Sequence, residues 1–421
     1  MRLVALLVGT SMLAACGGGG GSTISTAGSP VGTSGVGTAD QHTFVNPTVL
    51  KTYQANGATH SFDYQTTYNN IARTNGGQGN QEYAGNATTV RNSGLSITYN
   101  PRDAIFDVSF SDSLSGTSTA TRFQDPLHRT AFGGVLEPQY GTPELALRGI
   151  QYLESGSGTA SLSGTRLALG LDADETSGSY NVATFFYQRP GTTTQYVTYG
   201  GFLRNQLSAS IANTAAVAPV AATPTTPAVP GQPATSVTTT TFSLERGAFV
   251  FGQNSVNSNV PTGGTGSFSG DMLATAVFND QPDNIGLTDA PTYFQWIEGT
   301  ANVDVNFGSN SFALSLTGTT HAPQVDIGTN GFHSIAEGAI FNARGSGRID
   351  LIAAGGFLGQ FQQAWFVNPD TSRFDLLIAG SSIDGAFYGP QAQEVGGSYR
   401  IVGGTPDERI DILGVFTGSK K

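Results

Sequence analysis

The sequence predicts an all-β protein: an N-terminal β-rich domain followed by an eight-stranded antiparallel soluble β-barrel. Composition is the first observation. Of 421 residues 57 are glycine, 12% are charged and 10% are aromatic, and Thr, Ser and Asn fill much of the rest, a balance that suits short strands and turns. Patterning is the second: apolar residues recur in alternation along most of the chain, which separates it from an intrinsically disordered one. Length is the third, because 421 residues exceed what one core usually organises, so two folded units are expected.

The chain opens on Met1 and Arg2, a short positive region, followed by the apolar run LVALLVGTSMLAA at residues 3–15. That run is too short to span a bilayer permanently and reads as an export signal, residues 1–15. Cys16 is the only cysteine, so it can make neither an internal disulfide nor a cysteine-based zinc site. The four residues Leu13, Ala14, Ala15 and Cys16 resemble the lipobox of bacterial lipoproteins, which implies cleavage before Cys16, a diacylglycerol on its thiol and palmitate among its acyl chains. An ordinary A-x-A cleavage site would instead leave an unpaired thiol in an oxidising compartment. Several acyl chains at one site hold firmly, since each buried CH₂ contributes about 0.8 kcal/mol. Position 17 is Gly and not Asp, which by the same resemblance implies the outer membrane.

Residues 16–43 read as a flexible Gly/Ser-rich tether, too poor in bulky groups to order itself. Such a chain has an r.m.s. span of roughly 25–30 Å, enough to lift a domain off a headgroup layer. Strand signals then follow at residues 60–68 (HSFDYQTTY), 94–100 (GLSITYN), 104–110 (AIFDVSF) and 180–188 (YNVATFFYQ), each short and bounded by Gly, Asn or Pro. Residues 142–154, TPELALRGIQYLE, are compatible with a short helix capped by Thr142 or with a strand after a turn. Residues 205–241 carry no charge and are rich in Ala, Thr, Pro and Val; they read as a disordered or extended insert.

The clearest β pattern comes next. In ANVDVNF, Ala301, Val303, Val305 and Phe307 share one face, and in SFALSLTGT so do Phe312, Leu314 and Leu316, with residues 308–310 as the hairpin between them. Adding FSLERGAFVFG, GSFSGDMLATAVF, FDLLIAG, GAFYG, GSYRIVG and RIDILGVFTG makes about eight strands at meander spacing, the pattern of an up-and-down barrel. A transmembrane barrel shares the alternation. Against it stand the anchor at Cys16, the terminal TGSKK and the lack of aromatic girdles.

GAFYGPQAQEVGGSYRI, residues 385–401, resembles the signature of the transferrin-binding-protein-B-like bacterial surface lipoproteins. Gly385, Phe387, Tyr388, Gly389, Pro390, Ala392, Glu394, Gly396 and Gly397 fill the family's pattern. Locally it reads as a strand, a Gly-Pro stop, a short turn and a Gly-Gly entry to the next strand. TYGGF, GAFVFG, VPTGGTGSFSGDM and ILGVFTGSKK resemble the barrel's opening and closing strands. The resemblance thus implies a barrel over residues 195–421, with 205–241 as a long loop inside its first hairpin, preceded by a handle-like domain over 44–194.

The resemblance further implies an outer-membrane or cell-surface lipoprotein that binds an extracellular ligand. Relatives bind transferrin, haemoglobin or haem for iron acquisition beside a TonB-dependent transporter, or a complement regulator. Some are exported by outer-membrane lipoprotein machinery. Transferrin binders of the family carry two handle-plus-barrel lobes, whereas this length holds one. The alternative use of the same scaffold is a non-enzymatic adhesin, structural or immune-evasion protein. Partners are therefore the membrane through the lipid anchor, a host iron protein or haem, and a TonB-dependent receptor. The formal net charge of −11 works against nucleic acid.

No enzyme, cofactor or metal site is expected: G-x-S-x-G, H-E-x-x-H and P-loop patterns are absent from the sequence. His42, His60, His128, His321 and His333 are scattered. His321 and His333 flank one loop and offer a weak haem or metal pair, and solvated histidines are the commoner reading. Tyr140, Tyr152, Tyr293, Trp296 and Trp365 are candidate recognition anchors, or simply core and rim packing. The ligand-binding residues are unknown at this level.

Overall fold

A computed structural model of the chain describes residues 49–69, 74–76, 95–100, 105–112, 117–124, 142–157, 178–217, 219, 234–279, 292–325, 335–405 and 408–421. The export signal, Cys16 and the tether lie outside them. The strands fall into two antiparallel sheets, and no α-helix occurs among the described residues.

The first sheet comprises β1 (Lys51–Gln54), β2 (Asn56–Asn69), β3 (Thr74–Gly76), β4 (Leu95–Asn100), β5 (Ile105–Asp112), β6 (Thr117–Gln124), β7 (Ile150–Ser157), β8 (Gly178–Gln188), β9 (Val197–Thr214) and β10 (Thr235–Gly252). Its order is β1-β4-β5-β6-β7-β8-β9-β10-β2-β3. The strand signals at 60–68, 94–100, 104–110 and 180–188 lie in β2, β4, β5 and β8, and 142–154 proves to be an irregular run and a turn leading into β7. Only Ala55 separates β1 from β2, yet β1 pairs with β4 and β2 with β10. One chain segment therefore belongs to both ends of the sheet, which curls until they meet. Phe185 is central to the enclosed core, with ring centroids 5.6 Å from Phe106, 5.7 Å from Phe123 and 6.3 Å from Phe249.

Two sequence expectations are corrected here. β9 and β10 were expected to open the barrel at residue 195, but they pair with each other from Val197↔Gly252 to Thr214↔Thr235, with β8 and β2 outside them, all in the first sheet. Residues 205–214 and 235–241 of the expected disordered insert are accordingly strand. The physical reason is readable: Thr238 to Thr241 are β-branched and suit a pleated surface, while every proline of the insert falls within 219–233, outside both strands as backbone donors require. Neutrality signalled weak solvation, and β propensity with two flanking strands decided the outcome.

The second sheet comprises β11 (Thr265–Asn279), β12 (Thr292–Asn306), β13 (Ser311–Thr320), β14 (Gln324–Val325), β15 (Ile340–Asp350), β16 (Gly356–Val367), β17 (Arg373–Asp375), β18 (Gly380–Tyr388), β19 (Glu394–Thr405) and β20 (Glu408–Lys420). Eight of these run β11-β20-β19-β18-β16-β15-β13-β12, and β12 pairs back to β11, so the barrel is closed and has no free edge around its wall. The count of eight stands but its membership changes. FSLERGAFVFG belongs to β10, and FDLLIAG supplies only the short β17. β15 and β16 take their places; their Gly, Arg and Gln content hid them.

The barrel interior is filled. Ala301, Val303, Val305, Phe307, Phe312, Leu314 and Leu316 are all buried, as their alternation requires. Phe357 lies 4.8 Å from Phe312, 5.5 Å from Phe387 and 6.3 Å from Phe416, ring to ring. On β13 the outward Ala313, Ser315, Thr317 and Thr319 are exposed. An apolar inside with small and polar residues outside is the reverse of a lipid-facing barrel. Because Phe357 bridges three strands across a packed interior, Phe357→Ala is expected to lower stability by about 3–5 kcal/mol, read as a shifted urea midpoint with unchanged m-value.

Candidate functional site

The arc of barrel wall formed by β18, β19, β20, β11 and β12 is covered on its outer face. Ile383 to Tyr388 on β18 and Ile410 to Gly418 on β20 are buried at every position. Leu273, Trp296, Ala386, Tyr388 and Val415 point outward into one apolar cluster with Phe186, Val197, Tyr199, Ala248 and Val250 of the first domain. Trp296 meets Phe186 edge to face at 5.4 Å. Each large side chain buried this way contributes about 1.5–3 kcal/mol, so apolar burial holds the two domains together.

Polar latches around that cluster set the register. Glu394, at the start of β19, accepts the backbone N–H groups of Gln195 at 2.6 Å, Tyr196 at 2.7 Å and Val197 at 3.1 Å. Burial pushes its carboxyl above the usual carboxylate range, and the three N–H donors oppose that shift without cancelling it. Glu298 on β12 accepts Ala146 N–H at 2.9 Å and Leu147 N–H at 3.2 Å, and His321 Nε2 stands 3.1 Å from its Oε1. Burial alone would raise this carboxyl; the His321 contact and the two N–H donors outweigh it and hold it below the usual range. Gln188 Nε2 donates to Asp271 Oδ2 at 2.7 Å. Asn56 Nδ2 donates to Asp384 O at 3.1 Å while its Oδ1 accepts from Ser398 Oγ at 2.7 Å.

The signature residues are therefore a docking element. Gly385, Phe387 and Tyr388 end β18, Gly389, Pro390 and Ala392 form the turn, and Glu394, Gly396 and Gly397 open β19. Phe387 points inward to Phe357 while Tyr388 points outward into the junction cluster. Gly389 has φ +81°, and a Cβ there would strike the Tyr196 ring at 2.7 Å. A Cβ at Gly396 would lie 2.8 Å from Val250 and 2.9 Å from Val197, so the first domain rests on bare backbone. Pro390 O accepts Asn259 Nδ2 at 3.1 Å, Ala392 is buried with φ +57°, and Gly397 faces Gly385 across the ladder.

The remaining candidates scatter. Tyr152 and Trp296 sit at the junction, the Tyr152 hydroxyl donating to Pro143 O at 2.8 Å. Tyr293 lies in β12 opposite Phe278 and Val325, and His60 lies in β2. Trp365 stands on the outer wall of β16 beside Arg344 and Arg373. His42, His128, His333 and Tyr140 lie outside the described residues, and His321 faces Glu298. Among the described residues no group of three or more His, Cys, Asp and Glu could hold a metal. The sequence reading missed Glu298, Asp271 and Asn56, whose partners lie far away along the chain.

The arrangement is that of two β bodies joined over a shared apolar face, chemistry suited to presenting a surface. The sequence of residues 260–420 matches the family described as C-lobe and N-lobe beta barrels of Tf-binding protein B. Similar solved structures include a double mutant of the vaccine antigen Transferrin Binding Protein B from Haemophilus parasuis Hp5, at 12% identity over 86% of this chain and 76% of that one, TM-score 0.27. Intact Ap-TbpB, with N and C lobes, gives 11% identity over 89% and 78%, TM-score 0.27. The isotype 1 transferrin binding protein B of serogroup B Neisseria meningitidis gives 10% identity over 87% and 78%, TM-score 0.26. No curated protein matches the chain. The likeness rests on the sequence match of the barrel: residues 260–420 are similar to the C-lobe and N-lobe β-barrels of Tf-binding protein B.

Proposed function

We propose that this chain is a lipid-anchored protein of the outer membrane, displayed at the cell surface, which binds an extracellular ligand for iron or haem acquisition beside a TonB-dependent transporter. The observation that carries the reading is the sequence match of residues 260–420 to the β-barrels of Tf-binding protein B. The family-like motif also has a defined task here: Glu394, Gly389 and Gly396 join the barrel to the first, handle-like domain. A joined pair of β bodies presents a contact surface that needs little ordering on binding, which favours affinity. Cys16 supplies the attachment in this reading, and the ligand is transferrin, haemoglobin or haem.

Calorimetric titration with iron-loaded transferrin, haemoglobin and haemin is expected to show one of them binding with Kd below about 1 μM. Binding to none, with iron-limited growth unchanged on deletion, would overturn the reading in favour of an adhesive or structural surface protein. Cys16→Ala is expected to lose palmitate labelling and to leave the membrane fraction; a labelled variant refutes the anchor. Glu394→Ala removes the acceptor of three N–H donors at the junction, that of Val197 buried, and unfolding followed by Trp296 fluorescence should show a loss of about 3 kcal/mol.

A further inference from the structure

The barrel arc opposite the junction carries its own chemistry. β15, β16 and β17 lie across the closed wall from β20 and β11, and none of their residues enters the junction cluster. On their outer face Trp365 is flanked from both neighbouring strands. The Arg344 guanidinium of β15 lies 5.5 Å from its ring centroid, and that of Arg373 of β17 lies 4.7 Å away. The edges of a guanidinium lying over an indole remain available to acceptors while its flat face is occupied.

Arg373 has its acceptor, with Nη2 2.6 Å and Nε 3.2 Å from Asp375 Oδ1. Arg344 makes no ion pair among the described residues. Farther along the same outward face of β15, Arg348 is 72% exposed and only loosely paired with Asp350 at 3.5 Å. On the same face of β15 sits an apolar side chain in water, Ile340 at 38% exposure, opposite Val367. Asn342, opposite Trp365, is bonded to Thr317 at 3.3 Å and gives the patch a polar border.

Tryptophan and arginine are the residue types that dominate binding energy at protein contacts, and an arginine without a carboxylate is an open half of a charge-assisted pair. In a chain of net charge −11 a local cluster of arginines is an exception with a short range, since charges are screened within about 8 Å at physiological salt. A free phosphate or a sugar would engage the guanidiniums but leave Ile340 without a partner. We propose that the outer face of β15, β16 and β17 docks an acidic segment of a partner protein, one carboxylate pairing with Arg344 and an adjacent apolar side chain packing on Trp365 and Ile340. The surface is separate from the junction, so the proposal stands apart from the identity of the iron ligand.

The test uses the folded full chain and an array of fluorescent peptides in which Asp and Glu surround one aliphatic or aromatic residue, with Lys-for-Glu counterparts. Fluorescence anisotropy should show binding of acidic peptides alone, weakened at least about tenfold by R344E and by W365A, the size of one lost charge-assisted contact. W365F should retain most of the binding, and thermal melting should show all variants folded. Equal binding by R344E, or displacement of the peptide by inorganic phosphate or a sulfated oligosaccharide at matching concentration, would overturn it. So would self-association of the wild type, seen by sedimentation and lost in R344E, which would make a second copy the occupant.

Discussion

Three backbone N–H groups of the first domain converge on the Glu394 carboxylate of the second, at the edge of an apolar cluster centred on Phe186 and Trp296. A carboxylate taken out of water is costly unless its oxygens are hydrogen-bonded, and here residues 195–197 meet that need. Those residues lead directly into β9, whose Val197 and Tyr199 then pack against the barrel wall. Clamp and apolar cluster are adjacent in sequence on both sides, so each helps to position the other. The absence of side chains at Gly389 and Gly396 lets the two backbones approach closely enough for the clamp to close.

Covering one arc of the barrel divides its outer wall into two kinds of surface. Under the first domain the wall is largely apolar, and Glu298, Asp271, Glu394, Ser398 and the Asp384 carbonyl have partners across the junction. On the opposite arc the outward positions of β13 are small and polar, and those of β15 and β16 include Arg344 and Trp365. A contact made by this molecule draws on the second kind of surface, because the first is already spent inside the protein.

The legible parts of the sequence are those where one face of a strand is wet. Ala301, Val303 and Val305 alternate with Asn302, Asp304 and Asn306 because the inner face meets the core and the outer face meets water. β20 breaks that rule: Ile410, Asp411, Ile412, Leu413 and Val415 are all buried, since both faces are covered. β15 and β16 escaped notice for another reason. Their glycines and glutamines carry little β propensity, and neighbours on either side fix them as strands. The facing ends of β9 and β10, residues 205–214 and 235–241, read as an insert and the rest as barrel strands because a local pattern does not say which sheet a hairpin joins.

By itself the sequence determined the all-β class, the closed-barrel strand number and the strand–turn–strand of residues 385–397, because alternation, turn residues and glycine placement act over a few residues of chain. Only the tertiary structure decided that the barrel begins at Thr265, that β9 and β10 belong to the first sheet, and that the motif is a clamp between domains. The physical reason is separation along the chain. Glu394 meets its donors across 197 to 199 residues, and Trp365 meets Arg344 from a neighbouring strand, pairings that exist only once the sheets have closed and docked.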